Sequence, residues 1–156
     1  MKWMTQDIEM YEKSKEYVDT VLMLLLPVSF ADDRKQAAGM SEFITLLSFQ
    51  LERQFKGRII MLPSHSYLKS LPEDKLVNDV QEWEEKLILE GFSYVFHLTS
   101  DSFWKQNEDK LKGNLIWLPS LALEQLDDKN RNSILEDQVK QLVHLFMRKW
   151  QKEEEM

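Results

Sequence analysis

Ser64-His65-Ser66 and Thr99-Ser100-Asp101 each follow closely on a short apolar run, and Ser29 and Ser120 occupy the matching place after two others. Hydroxyl groups at such junctions, beside the free N–H groups of a following helix, suit a small anion such as phosphate or carboxylate. A histidine titrates near neutral pH, so His65 oriented by the Asp101 carboxylate would act as a base toward Ser64 or Ser66. The same residue types are also the usual turn and N-cap residues, and capping accounts for Ser29, Ser64, Ser66, Thr99, Ser100, Asp101 and Ser120 without any ligand. No G-x-S-x-G elbow surrounds either serine, and Pro63 departs from that motif. No catalytic set is therefore assigned; His65 and Asp101 stand as the weak candidates, and a loop histidine is the plainer reading of His65.

Other chemistries are limited by inventory. The chain has no cysteine, which excludes disulfides, thiolate metal sites and cysteine nucleophiles. His97 falls within an apolar run and reads as a buried histidine held by one hydrogen bond, and His144 lies beside a helical apolar stripe. No H-x-x-x-H, H-E-x-x-H or EF-hand spacing exists, so no dedicated metal site is expected beyond adventitious magnesium at Asp32 or Asp33. The first strand ends at Ser29 with its acids three residues later, unlike a phosphorylated receiver. No G-x-G-x-x-G or P-loop can be assembled, and Pro27 to Asp32 lacks the hydroxyl run that wraps a flavin phosphate, so no cofactor is expected.

These residues need strands and helices to position them. Four apolar runs read as strands: Thr20 to Leu26, Arg58 to Leu62, Phe92 to Leu98, and Asn114 to Leu118. Their continuity, as in Val21 to Leu26, suits a parallel sheet covered on both faces. Between them, Met40, Ile44, Leu47, Leu51 and Phe55 recur at helical spacing, as do Leu76, Val80, Trp83 and Leu87, and Leu135, Val139, Leu142 and Phe146. Further helices are expected from Thr5 to about Tyr17 and from Asp101 to Lys112. Ser70 with Glu73, and Ser133 with Glu136, have capping-box spacing. Gly57, Gly91 and Gly113 each stand between a helical stretch and a strand, where a left-handed turn favours glycine. Leu26, Leu62 and Leu98 end their runs at one fixed interval, as repeated βα units would. Strand–helix–strand units of this kind give right-handed crossovers. The expected fold is a single α/β domain over residues 1–151, a three-layer sandwich around a mainly parallel four-stranded sheet, Rossmann-like or flavodoxin-like. The expected strand order is 2-1-3-4, with a frayed acidic end at 152–156.

Trp83 and Trp117 sit on the apolar patterns and read as core; Trp3, Trp104 and Trp150 are less committed, and Trp104 and Trp150 would anchor a partner if exposed. With a net charge of −7 and its basic residues scattered among acids, the chain shows no phosphate-binding stripe, which argues against nucleic acid. The longest apolar run falls well short of the roughly 20 residues of a membrane span. The first ten residues lack the apolar stretch of a signal peptide, so a cytoplasmic location is expected.

Met1-Lys2-Trp3, Asp7 to Tyr11, Lys15 to Thr20, Glu52 to Arg58 and the Leu62-Pro63 strand end together resemble the YpiF-like proteins of Bacillus and its relatives. That resemblance implies a cytoplasmic protein of spore-forming Firmicutes, encoded near genes for the menaquinol–cytochrome c reductase complex. It supplies no site residues, because the family is a domain of unknown function. The leading expectation is a non-catalytic interaction or regulatory module with an unknown protein partner, in a respiratory context by that implication. The rival is a binder of a small anion or metabolite, or an enzyme, using Ser64, His65, Ser100 and Asp101 at the strand ends.

Overall fold

In the computed structural model the run from Thr20 to Val28 forms β1, the central strand, buried along all but its last residue. Successive side chains of a strand point to opposite faces, and both faces of β1 are covered. Leu22, Leu24 and Leu26 enter one core with Phe43, Ile44, Leu47 and Leu51 of α2 (Arg34–Gln54) and with Leu135, Val139, Leu142 and Phe146 of α5 (Asp128–Glu154). Val21, Met23 and Leu25 face the opposite layer. That layer holds α1 (Thr5–Ser14), α3 (Glu73–Leu89) and the short α4 (Ser102–Gln106). Each such leucine contributes on the order of 1.5–3 kcal/mol when buried. The continuous apolar run therefore demands helices on both sides of the sheet.

The remaining strands are β2 (Ile59–Met61), β3 (His65–Leu68), β4 (Tyr94–Thr99) and β5 (Asn114–Trp117). All pairings are parallel, and the main path runs β2-β1-β4-β5, which is the expected order 2-1-3-4 for the four strands read from the sequence. The fifth strand, β3, was not expected. Met61 lies opposite Leu22 and His65 opposite Leu25, so one extra residue intervenes before pairing with β1 resumes. Pro63, which has no N–H to donate, sits in that interruption. His65 and Ser66 thus belong to a strand rather than to a loop beyond one. Lys2 bridges to Met61 on the outer side of β2, with the Met1 amino group buried against Glu52 at 2.8 Å.

The structure describes residues 1–154. Residues 152–154 continue α5, and 155–156 of the expected frayed end lie outside the described residues. Both expected capping boxes are replaced. Pro72 precedes α3, leaving Ser70 in the turn before it, and α5 begins earlier than read, where Asp127 Oδ1 accepts the Asn130 N–H at 2.8 Å. Ser133 and Glu136 lie inside that helix.

The expectation reverses for Trp83, and the exposure on which Trp104 and Trp150 would have anchored a partner is absent. Trp150 extends the α5 stripe by one turn beyond Phe146; its indole N–H donates to Thr20 Oγ1 at 3.0 Å and the Arg58 guanidinium covers its ring. Trp104, a residue of α4, is fully buried against Tyr67 and Leu76, and neither tryptophan is free to anchor a partner. Trp83 is instead 48% exposed, because α3 turns Glu84 toward the sheet in its place. Trp117 is half-buried and donates to the Ser100 carbonyl at 3.1 Å.

Glu84 faces inward to meet His97, whose Nε2 lies 2.8 Å from Glu84 Oε2 with both side chains fully buried. The Lys112 and Gly113 N–H groups donate to the same carboxylate at 3.1 and 2.6 Å. Burial alone would raise the Glu84 pKa, but the His97 hydrogen bond and the two backbone donors outweigh it and hold the carboxyl below its ordinary value. Among the described glycines only Gly91 has a left-handed backbone, with φ of 103°. Gly113 is required for a different reason, since a β-carbon there would lie 2.6 Å from the Val95 carbonyl and 2.9 Å from Glu84 Oε2. Gly113→Ala is accordingly expected to cost about 1–3 kcal/mol, as overpacked sites do. Gly39→Ala, in open space inside α2, should add about 0.5–1 kcal/mol. Urea unfolding of both variants checks the pair, and equal effects would contradict the close approach at Gly113.

Candidate functional site

Parallel sheets of this kind form a crevice beyond the carboxyl ends of neighbouring strands whose following connections leave on opposite faces. Here β1 is followed by α2 on one face and β4 by α4 on the other, so the crevice opens between their ends. Thr99 closes its base: its hydroxyl donates to the Leu25 carbonyl at 2.8 Å and accepts the Asp101 N–H at 3.1 Å. That bond seats Asp101 at the start of α4, where Oδ1 accepts the Phe103 N–H at 3.1 Å. Oδ2 accepts the Tyr67 hydroxyl at 2.7 Å. Burial first, and the Asp101 charge second, push the Tyr67 phenol well above its ordinary pKa, which keeps it a proton donor to the carboxylate.

Asp101 and Tyr67 form the floor of a cleft of about 250 Å³. Leu76 and Phe103 supply apolar wall, and Lys69, Glu73, Ser102 and Gln106 complete the lining. Lys69 points its ammonium at Asp33 Oδ2, 3.4 Å away. Asp33 also accepts the Ser29 hydroxyl, and this hydrogen bond is the largest cause holding its pKa below the ordinary carboxylate value.

The eight residues read from the sequence are only partly gathered here. Asp101 lines the cleft, Thr99 and Ser100 lie beneath it, and Ser29 reaches its rim through Asp33 and Lys69. The Ser100 hydroxyl is buried without a hydrogen-bond partner among the described residues. Ser64 is exposed in the break between β2 and β3, and Ser120 is exposed after β5. Ser66 adjoins His65 on a strand and so faces the opposite side of the sheet, out of its reach. Asp101 partners Tyr67 rather than His65, whose ring lies against Tyr67 with centroids 6.4 Å apart. Tyr67, Lys69, Ser102, Phe103 and Gln106 were not singled out in the sequence, and Glu73 was read only as half of a capping box. The only signal for Tyr67 was its two-residue spacing from His65, which becomes informative once that segment is known to be a strand.

Among the described residues no group of three or more His, Asp or Glu is placed to hold a metal, and no helix is long and apolar enough to cross a membrane. His144 is exposed on α5.

Burial is the largest cause lowering the His65 pKa; the charge on Asp79 opposes it and His97 adds to it. Below the ordinary imidazole value of 6.5 the unfolded chain therefore binds this proton more readily than the folded one. Stability should fall as pH drops from about 7.5 to 5.5, and His65→Gln should show a smaller fall over the same interval. Melting temperatures at the two pH values check this, and identical losses in both proteins would contradict it.

The model of a family described as a protein of unknown function, DUF2487, matches residues 9–150. The chain is 35% identical over 150 residues to the uncharacterized protein YpiF of Bacillus subtilis (strain 168), an alignment covering 96% of this chain and 98% of that protein. No solved structure matches. With its helices, parallel sheet and nearly full-length match, the chain belongs to the DUF2487 family of proteins of unknown function.

Proposed function

We propose that the protein is a cytoplasmic, non-catalytic regulatory module that binds a small polar metabolite in the crevice between the ends of β1 and β4. The observation that carries this reading is Asp101, 3% exposed, held at the floor of a cleft by the Tyr67 hydroxyl and the Phe103 N–H. A carboxylate offers about four lone-pair sites. Two are taken by these bonds, and a ligand in the cleft would supply further donors. Clefts with apolar walls and a few converging polar groups are the usual form of a small-molecule site. The hydrogen bonds within this one fix its polar groups in place, which suits recognition.

Contact with a protein partner is a second reading, favoured by a different surface. Trp3 and Met4, 59% and 62% exposed, line a groove along α1 with Ile8, Glu9 and Glu12, a combination that fits an apolar, basic partner surface. Trp3→Ala should reduce capture of such a partner in a pull-down, and equal capture by both proteins would contradict that placement.

A thermal-shift screen against nucleotides, sugar phosphates, amines, amino acids and carboxylates tests the cleft. A ligand at about 100 times its dissociation constant should add roughly 2.7 kcal/mol, or about 5–10 °C for a domain of this size. Tyr67→Phe and Asp101→Asn should lose the shift relative to their own unliganded melting temperatures. A shift retained in both variants would place the ligand elsewhere.

A further inference from the structure

The lining of the cleft says which charge it accepts. Two carboxylates, Asp101 and Glu73, face one ammonium, Lys69, and that ammonium already lies 3.4 Å from Asp33. The anion-binding means expected at these strand ends are also taken. Asp101 itself receives the Phe103 N–H at the start of α4, and the first turn of α3 carries Glu73 and Asp74. An anion entering here would meet carboxylates where it needs N–H donors.

The same features suit a cation. Asp101 is buried, accepts two hydrogen bonds among the described residues and has lone pairs left for the N–H groups of an ammonium. Phe103 and Tyr67 are among the lining residues, and aromatic side chains attract positive charge. Leu76 adds apolar surface for a hydrocarbon body. At about 250 Å³ the cleft falls below the range of drug-sized sites, so the ligand must be small.

We infer that the cleft binds a small primary amine, its ammonium on Asp101 and Glu73 and its apolar body against Leu76 and Phe103. This rests on the crevice being a ligand site and names the ligand's class, in place of the small anion expected from the strand-end hydroxyls.

Calorimetric titration of the full chain with phenethylamine, 2-phenylethanol and 3-phenylpropionate separates charge from shape. The amine should bind saturably and the carboxylate should not, with the alcohol weaker than the amine by about tenfold or more. Asp101→Asn, which keeps an oxygen for the Phe103 N–H, should weaken the amine by about tenfold. Glu73→Gln, an exposed position that cannot unfold the chain by cavity formation, should weaken it by about two- to threefold. The inference is overturned if the carboxylate binds as well as the amine, if neither substitution changes amine affinity, or if none of the three probes binds. A sugar phosphate or other non-amine whose thermal shift disappears in Tyr67→Phe would leave the crevice as the ligand site while overturning the amine.

Discussion

The buried pair of Glu84 and His97 is the constraint on which the layer above the crevice depends. Two groups with no exposure to water have been taken from it, and removing one partner of such a pair typically costs about 3–5 kcal/mol because the other is left uncompensated. The carboxylate must therefore be fully provided for. It is, by the imidazole from β4 and by two N–H groups from the turn entering β5. One side chain thus sets the rotation of α3, its distance from the sheet and the path of the chain into the last strand. The approach is so close that only glycine fits at 113.

The crevice follows from that placement. With Glu84 inward, the first half of α3 lays Leu76, Val77 and Val80 over Leu25 and Tyr67, and Trp104 packs edge-on against the Tyr67 ring with centroids 5.4 Å apart. Tyr67 is thereby directed at Asp101 instead of at solvent. Thr99 joins the ends of β4 and β1 through its hydroxyl, so the carboxylate and the phenol are positioned by strands and not by a free loop. The opposite face of the sheet has a different character. There α2 and α5 build a continuous apolar core, completed by Trp150 against Phe55 and Phe146 and closed by Arg58, which also pairs with Asp19.

Much of this architecture was legible in the residues. Runs such as Val21 to Leu26 have no polar alternation and so require cover on both faces, which specifies a parallel, helix-flanked sheet and most of its order. The α2 and α5 stripes were readable for the same reason, since apolar periodicity reports the face a helix buries. The reading failed on α3, where periodicity put Trp83 inside. A glutamate inside a helix reads as solvent-facing until its partner is known, and that partner, His97, lies on the following strand, beyond the reach of any local periodicity. The segment from His65 to Leu68 failed in a related way, because its polar composition hides a strand whose pairing is supplied by β1.

By itself the sequence determined the class of fold, the central strand, the main helical faces, and the family, because burial pattern and shared strings are properties of residues in order. It also brought Asp101 forward, since a cap at the end of a strand has a recognisable place in the chain. What surrounds Asp101 was decided only by tertiary structure. Tyr67, Lys69, Glu73, Phe103 and Gln106 come from β3 and the turn after it, from α3 and from α4, and their convergence depends on register across β1 and on the rotation of α3 about Glu84. The charge of the cleft is a sum over those neighbours, which no single strand-end residue reveals.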